Sequence, residues 1–279
     1  MAPSSTHRKP RATATALCAA ATIATVGLAA PAAWAQAATP GTPAIPAAVA
    51  AAAPTPDPFR NLTPAAIADR AVDATQAATS LRMTGRVMSE GQALDLDLAL
   101  DDRDNCTGLM KVDGGTGELR QADRITYLKG DAEFWRASMT SQGVPPSQID
   151  ATIELVEGRW LKITPGQAGS SDPSGVCDLD ALLADLGDDE VDRQGLTRGP
   201  DAEVDGTPVA TLVKQRPGGE TTTVSVAREG PPHILRMVRA GGEEPGTVEL
   251  SDFDKPVRVV VPPADETVDL TKLDPGTQA

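Results

Sequence analysis

The side chains that most often carry catalysis or bind metals are scarce in this chain, which has 279 residues but only two histidines and three cysteines. Apart from a histidine in the predicted N-terminal leader, His233 stands alone beside a predicted strand, so no second histidine is available for a zinc pair. The chain contains neither the G-x-S-x-G turn of serine hydrolases nor the H-E-x-x-H helix of zinc proteases. We therefore expect no catalytic residues, no metal site and no cofactor.

Two acidic clusters are the remaining candidates for cation binding. One is the turn that contains Asp101, Asp102 and Asp104, whose spacing does not follow the calcium loop of an EF-hand. The other follows a predicted helix and comprises Asp185, Asp188, Asp189, Glu190 and Asp192. In so acidic a chain we interpret both clusters as solvated charge.

The N-terminus has the three parts of a secretory signal. Basic residues at 8, 9 and 11 precede an alanine-rich apolar run, and a small-residue site predicts cleavage after Ala35. A retained membrane anchor is one alternative, and a lipid-modified Cys18 is another, although Leu17 is larger than the residue that normally precedes a lipidated cysteine. Cleavage would change the net charge from −14 to −17, because the leader holds three basic residues and no acidic ones. This charge opposes binding to nucleic acid or anionic membranes.

Two cysteines remain after removal of the leader, and export places them in an oxidising compartment. An even pair of cysteines in an exported chain predicts a disulfide, here between Cys106 and Cys177. The alternative is two buried free thiols. The bridge would close a loop of about 72 residues, which corresponds to roughly 4 kcal/mol of stability in the chain-entropy model.

The rest of the chain divides by composition. After the leader of residues 1–35, residues 36–62 form a linker rich in alanine and proline that cannot bury a core. Residues 63–270 are predicted to fold as one domain, and residues 271–279 are a C-terminal tail.

One predicted strand of the domain has an unusually regular alternation of apolar and acidic residues. Residues 94–101 alternate leucine at 94, 96, 98 and 100 with aspartate at 95, 97 and 101, apart from Ala99. Side chains alternate between the two faces of a strand, so one face of this strand is leucine and the other is acidic. The leucine face must be covered by helices, by another sheet or by a ligand.

The other elements predict an α+β fold. A helix is expected from Thr63 to about Ser80, followed by a β-meander to Lys129 and then by three short helices, the third at residues 176–186. A second meander should follow, with its last strand at residues 257–261. This order indicates one curved antiparallel sheet with its helices gathered on one side.

Flexible aliphatic side chains continue the leucine face on neighbouring strands. A cavity lined by them would suit acyl chains, whereas helices filling the same space would leave a dry core. The candidate lipid-binding residues are Leu81, Met83, Val87, Leu94, Leu96, Leu98, Leu100, Met110, Leu235 and Met237.

Five segments carry a resemblance to a known family. Residues 105–108, 112–118, 127–135, 158–162 and 262–266 resemble the actinobacterial LppX/LprG-type lipoproteins over roughly residues 63–270. The resemblance implies a half-barrel sheet with helices packed on its concave side, similar to periplasmic lipoprotein carriers of the Lol type. It also implies a cavity for lipids or lipidated molecules, which such proteins ferry across the envelope.

The expected function is therefore a non-enzymatic carrier or binding protein, secreted or held outside the cytoplasmic membrane. Its expected partner is an acyl lipid or lipidated cargo, with no nucleic acid, and the chain is expected to be monomeric. Membrane contact would be transient, or would run through the N-terminus if the leader is retained. A cell-envelope interaction or scaffold module with a dry core is the alternative.

Overall fold

The fold was taken from a computed structural model that describes residues 56–89, 91–165, 173–188 and 193–269. The chain divides into two compact units, Met1–Ala53 and Pro54–Ala279, and all described residues belong to the second. The predicted leader, most of the predicted linker and the C-terminal tail lie outside the described residues. So do Asp189, Glu190 and Asp192 of the second acidic cluster.

The described residues form four α-helices and thirteen strands. The helices are α1 Pro64–Gln76, α2 Ala132–Ser141, α3 Pro146–Val156 and α4 Leu179–Asp188. The strands of the first half are β1 Ser80–Ser89, β2 Gln92–Asp101, β3 Cys106–Val112, β4 Gly115–Ala122, β5 Ile125–Gly130 and β6 Trp160–Ile163. Those of the second half are β7 Thr197–Arg198, β8 Ala202–Val204, β9 Thr207–Gln215, β10 Thr221–Ala227, β11 Ile234–Ala240, β12 Gly246–Ser251 and β13 Thr267–Asp269.

All these strands belong to one sheet, which confirms the predicted α+β class. Its order is β13-β6-β5-β4-β3-β2-β1-β12-β11-β10-β9-β7, with β8 also paired to β9. The parallel β13–β6 pair is the exception among otherwise antiparallel pairings of the described strands. The two meanders join where β12 returns beside β1, and the sheet curves without closing.

The leucines of β2 lie on the face that the helices cover. Leu98 and Leu100 are fully buried, and in the register Leu100 lies opposite Leu81 of β1. The aspartates lie on the opposite face, where Asp97 and Asp95 accept paired hydrogen bonds from arginines of β1 at 2.7–2.8 Å. The alternation therefore separates an apolar concave side from a charged convex side.

Two glycines allow neighbouring strands to approach each other closely. A Cβ atom on Gly85 of β1 would collide with the backbone carbonyl of Thr247, and one on Gly108 of β3 would collide with that of Asp97. Glycine within a strand often marks such a close backbone approach. We infer that these positions contribute to the curvature of the sheet.

Helix α1 packs against β10 and β11 on the concave side. Thr63 caps the helix by accepting a hydrogen bond from the amide of Ala66 at 3.2 Å, and a proline follows at the first position, as predicted. Thr75 near the end of the helix is completely buried, and its hydroxyl accepts a hydrogen bond from the Ile234 amide at 2.9 Å. That amide belongs to β11 beside a β-bulge, where the strand ladder is interrupted.

The Thr75→Val variant should therefore lose about 1–3 kcal/mol of unfolding free energy, because the buried Ile234 amide would lose its acceptor. Urea denaturation of the wild type and the variant measures the difference. Thr84→Val, on the convex face of β1, is the matched control and should change stability by less than about 0.5 kcal/mol. Equal stability of Thr75→Val and wild type would contradict the assigned role.

Helix α2 lies directly on the sheet, against Gly115, Gly117 and Gly130. Asp131 caps the helix through the Phe134 amide at 2.7 Å and also accepts from the Thr116 amide of β4 at 2.8 Å. Cβ atoms at Gly117 and Gly130 would meet the ring of Phe134 at 2.6 Å or less. This part of the concave side is consequently dry and closely packed.

Several boundaries differ from those predicted. Residues 257–261 do not form a strand, since prolines at 256, 262 and 263 remove backbone donors at both ends of the segment. The expected helix at 176–186 is a short 3-10 turn, Pro173–Cys177, followed by α4. The packed domain also begins before Thr63, because Phe59 is only 3% exposed and lies in the core.

Candidate functional site

The concave face is graded from a covered end to an open end. Because directly opposed residues of paired strands share a face, the inward side chains form rows that cross the sheet. The row through Leu81, Leu100 and Cys106 is buried, and in the next row Leu98 and Leu119 are buried as well. Burial then decreases, which means that the helices fill one end of the concave side more completely than the other.

The next two rows are half-buried across the middle of the sheet. The first crosses β11, β12, β1, β2 and β3 through Met237, Val248, Gly85, Leu96 and Met110. The second, nearer the strand ends, contains the apolar residues Val87, Leu94 and Val112. We call the apolar members of both rows the open strip: Met237, Val248, Leu96, Met110, Val87, Leu94 and Val112.

The ten predicted binding residues lie partly in the covered end of the concave face and partly in its open end. Leu81, Leu98 and Leu100 belong to the closed core, whereas Met83 is half-buried at its boundary. Five others lie in the open strip: Val87, Leu94, Leu96, Met110 and Met237. The tenth, Leu235, has a different position.

Leu235 lies in the β-bulge between β10 and β11. The register pairs Ser225 with Arg236 but Val226 with Ile234, so Leu235 has no partner of its own. A bulge inserts one extra residue and thereby changes which side chains share a face. Ile234 takes the buried core position. Leu235 is half-buried like Met237 but, unlike Met237, does not pack against the core.

A cavity of about 240 Å³ lies where the open strip meets the strand ends of the second meander, and we call it the end cavity. Gly246 lies opposite Val87 in this row, and because a Cβ there would be only 3.0 Å from Val87, the glycine lets the two strands approach closely at the cavity wall. The lining residues include Val87, Thr222, Met237, Arg239, Glu244 and Val248. The end cavity is thus lined by both apolar and polar side chains.

The disulfide lies at the covered end. Cys106 of β3 and Cys177 are joined as expected, and both are completely buried. The bridge ties the segment that leads into α4 to the middle of the first meander. It holds the closed end of the concave side without touching the open strip.

His233 and Asp101, which the sequence offered as candidates for catalysis or cation binding, make structural contacts. The ring of His233 stacks on Phe253 with centroids 4.0 Å apart, and burial lowers its pKa although nearby Asp254 acts in the opposite direction. Asp101 is buried and accepts hydrogen bonds from the amides of Arg103 and Asn105 at 2.9 and 3.0 Å, so it closes a turn. Within the described ranges, no group of three or more potential metal ligands comes together.

The convex face carries several ion pairs that join neighbouring strands. Besides the two pairs between β1 and β2, Arg236 and Glu249 form an ion pair between β11 and β12. Arg120 of β4 lies over the ring of Trp160 at 4.4 Å and donates to the Val260 carbonyl at 2.8 Å. These groups satisfy one another across strands, and the concave side is left as the apolar surface of the sheet.

No helix in the described part of the chain combines the length and hydropathy of a membrane span. The fold and the open strip define a class of protein: an open, curved antiparallel sheet that holds helices against one end of its concave face.

Two solved structures of mycobacterial proteins are similar to this chain. LprF from Mycobacterium bovis is 16% identical, with a TM-score of 0.48, and the match covers 71% of this chain and 96% of that protein. The lipoprotein LppX from Mycobacterium tuberculosis is 15% identical, with a TM-score of 0.43, and the match covers 71% and 98%. The solved structures similar to this chain thus include LppX, one of the proteins that give the expected family its name.

A third solved structure is a more distant match. It is a domain of a putative outer membrane lipoprotein-sorting protein from Vibrio parahaemolyticus, 9% identical with a TM-score of 0.20. The match covers 68% of this chain and 95% of that chain. No protein-family model matches the chain. No curated protein matches it in sequence. The function proposed below therefore rests on this chain's own residues.

Some residues of the site were not predicted. Val248 is flanked by polar residues in β12, and that alternation could have indicated it. Thr222 and Arg239 gave no such signal, because their proximity depends on which strands are neighbours in the sheet.

Proposed function

We propose that this protein is an exported, non-enzymatic carrier or binding protein for an acyl lipid or a lipidated molecule, and that the open strip holds the acyl chain. The observation that carries the proposal is the half-burial of one continuous apolar surface across β11, β12, β1, β2 and β3. Rows beside it are closed by helices, so the strip is the part of the concave face with apolar area still to cover.

The composition of the strip suits a flexible hydrocarbon. Met110 and Met237 have unbranched, adaptable side chains that can repack around a chain without a fixed shape. Each methylene group moved from water into such a surface contributes about 0.8 kcal/mol. A long acyl chain can therefore bind by apolar burial, with few polar contacts needed to hold it.

The remaining features support a role outside the cytoplasm. A disulfide persists in oxidising compartments, and the predicted leader of residues 1–35 would direct export. The following residues, to about 62, would serve as a linker to whatever the N-terminus contacts. The acidic charge disfavours binding to nucleic acid and to anionic membrane surfaces. We therefore propose that contact with membranes is transient or runs through the N-terminus. We also propose that the protein is a monomer.

The test is whether purified protein contains or accepts acyl lipid. Native mass spectrometry should show a bound species of lipid mass, and organic extraction should recover an acyl lipid in an amount comparable to that of the protein. Addition of palmitate or monopalmitoylglycerol to stripped protein should raise the melting temperature, because the ligand binds the folded state. Protein that is free of lipid in repeated preparations and insensitive to both additions would contradict the proposal.

A cell-envelope interaction or scaffold module is the second candidate. It is favoured by the close packing of Phe134 on the glycines of β4 and β5, and by the size of the end cavity, below the range of about 300–1,000 Å³ typical of ligand pockets. Under this alternative the strip would be covered by a protein partner. Crosslinking in the envelope would then recover a partner protein, and acyl lipids would leave the melting temperature unchanged.

A further inference from the structure

The open strip is long across the strands and short along them. Its two rows are successive inward positions on each strand, so along a strand they are separated by about 7 Å, twice the rise per residue. On one side of the strip lies the row of Leu98 and Leu119, which is buried. On the other side the strands end, at Ser89 of β1 and Gln92 of β2. An extended hydrocarbon chain therefore stays on the strip when it lies across the strands.

Buried side chains close both ends of the longer row. At one end, Met237 of β11 lies opposite Val224 of β10, which is 3% exposed and belongs to the core. At the other end, Met110 of β3 lies opposite Gly117 of β4. The ring of Phe134 occupies the space that a side chain at 117 would need, and it too is buried. The half-buried part of the row thus runs from Met237 to Met110 and has two closed ends.

The distance between these ends corresponds to a particular length of hydrocarbon. From β11 to β3 the row crosses four spacings between neighbouring strands, at about 4.8 Å each, which gives roughly 19 Å. Carbon–carbon bonds of about 1.5 Å at near-tetrahedral angles advance an extended chain by about 1.25 Å per carbon. About 15 or 16 carbons therefore fill the row, and each strand that is crossed accommodates about four of them.

The side chains at the two ends give the bound chain a direction. In the second row, β11 contributes Arg239, whereas β3 contributes the apolar Val112. Arg239 lies 3.6 Å from the exposed Glu244, and both residues line the end cavity. A polar head group is consequently better placed beside β11, and the methyl end of the chain then lies against Phe134.

We propose that the open strip selects acyl chains of about 16 carbons, with the polar head at the end cavity and Phe134 as the residue that limits the length. The inference rests on the proposed function and adds the length and direction of the ligand's chain. Carbons beyond this length would leave the apolar surface, so they should add no affinity.

The test measures the affinities of saturated monoacylglycerols by displacement of a fluorescent acyl probe from stripped protein. For the wild type, affinity should rise about two-fold per carbon, because a chain that lies on a surface buries about half of each methylene group. The rise should stop at a length limit of about 16 carbons, and affinity should then stay level to about 22 carbons.

Two variants should move this limit in opposite directions. Met110→Phe adds a ring at the end of the row and should lower the limit by about four carbons, the length that one strand accommodates. Phe134→Leu shortens the side chain above Gly117 and should raise the limit by about two carbons. Leu109→Phe, on the convex face of β3, is the matched control and should leave the limit unchanged.

Thermal denaturation without ligand checks the fold of each variant. Met110 is half-buried, so Met110→Phe should fold even where the loss of the buried Phe134 ring prevents folding, and its shorter limit then decides the test. Affinity that rises without a limit, or a limit that Met110→Phe leaves unchanged, would overturn the inference while the proposed function stands. Failure of the wild type to bind any member of the series would overturn both together.

Discussion

Replacing Cys106 and Cys177 together by alanine is expected to lower the free energy of unfolding by about 4 kcal/mol. The two cysteines are 71 residues apart, and the loop between them contains α2, α3 and four strands of the sheet, β3 to β6. Without the bridge, the unfolded chain regains the freedom that loop closure had removed. A small domain is commonly stable by only about 5–15 kcal/mol, so this loss would be a large fraction of the total.

Urea denaturation of the double variant and the wild type, both without reductant, measures this loss. Reductant should destabilise the wild type by a similar amount. It should leave the stability of the double variant unchanged, and the double variant therefore controls for effects of the reductant other than cleavage of the disulfide. A difference below about 1 kcal/mol would mean that packing alone holds the segment before α4 against β3, contrary to the role assigned to the bridge.

The second large effect is expected at the centre of the open strip. Leu96→Asp should weaken the binding of a fluorescent acyl probe by about 100-fold or more, because an acyl chain cannot cover an unpaired carboxylate without a desolvation cost of several kcal/mol. Leu96 is half-buried and packs against the edge of the core, so the variant should lose some stability but still fold, because the fully buried rows are unchanged.

Leu109→Asp is the matched control, because Leu109 lies on the adjacent strand, is 43% exposed and faces the convex side. Its affinity for the probe should equal that of the wild type. Circular dichroism and urea denaturation of both variants check that the fold is retained. Equal affinity of Leu96→Asp and the wild type would place the binding site somewhere other than the open strip.

Much of the fold could be predicted because the relevant signals are local. The alternation of leucine and aspartate in β2 determines which face is buried, and the caps at Thr63 and Asp131 mark where α1 and α2 begin. The cysteine pair could be inferred from its compartment. The alternation and the caps lie within a few residues of the elements that they describe, whereas the cysteine pair is inferred from compartment and number alone.

The differences arise where a remote partner decides the outcome. Leu235 and Ile234 exchange roles because of a bulge that depends on β10, and nothing in the sequence around Leu235 indicates it. Strand β13 forms by parallel pairing with the distant β6, which a three-residue segment cannot signal. The covered and open ends of the concave side likewise depend on where α1 and α2 settle on the sheet.

The most direct test of the binding site is photo-crosslinking with an analogue of monopalmitoylglycerol that carries a diazirine in the middle of its acyl chain. Labelled residues are located by fragment-ion mass spectrometry. The account predicts labels on residues of the open strip, foremost Leu96, Met110 and Met237, that disappear when excess unlabelled lipid is added. Labels confined to convex or remote exposed residues such as Leu109 and Leu155, or labels that excess lipid does not remove, would contradict it.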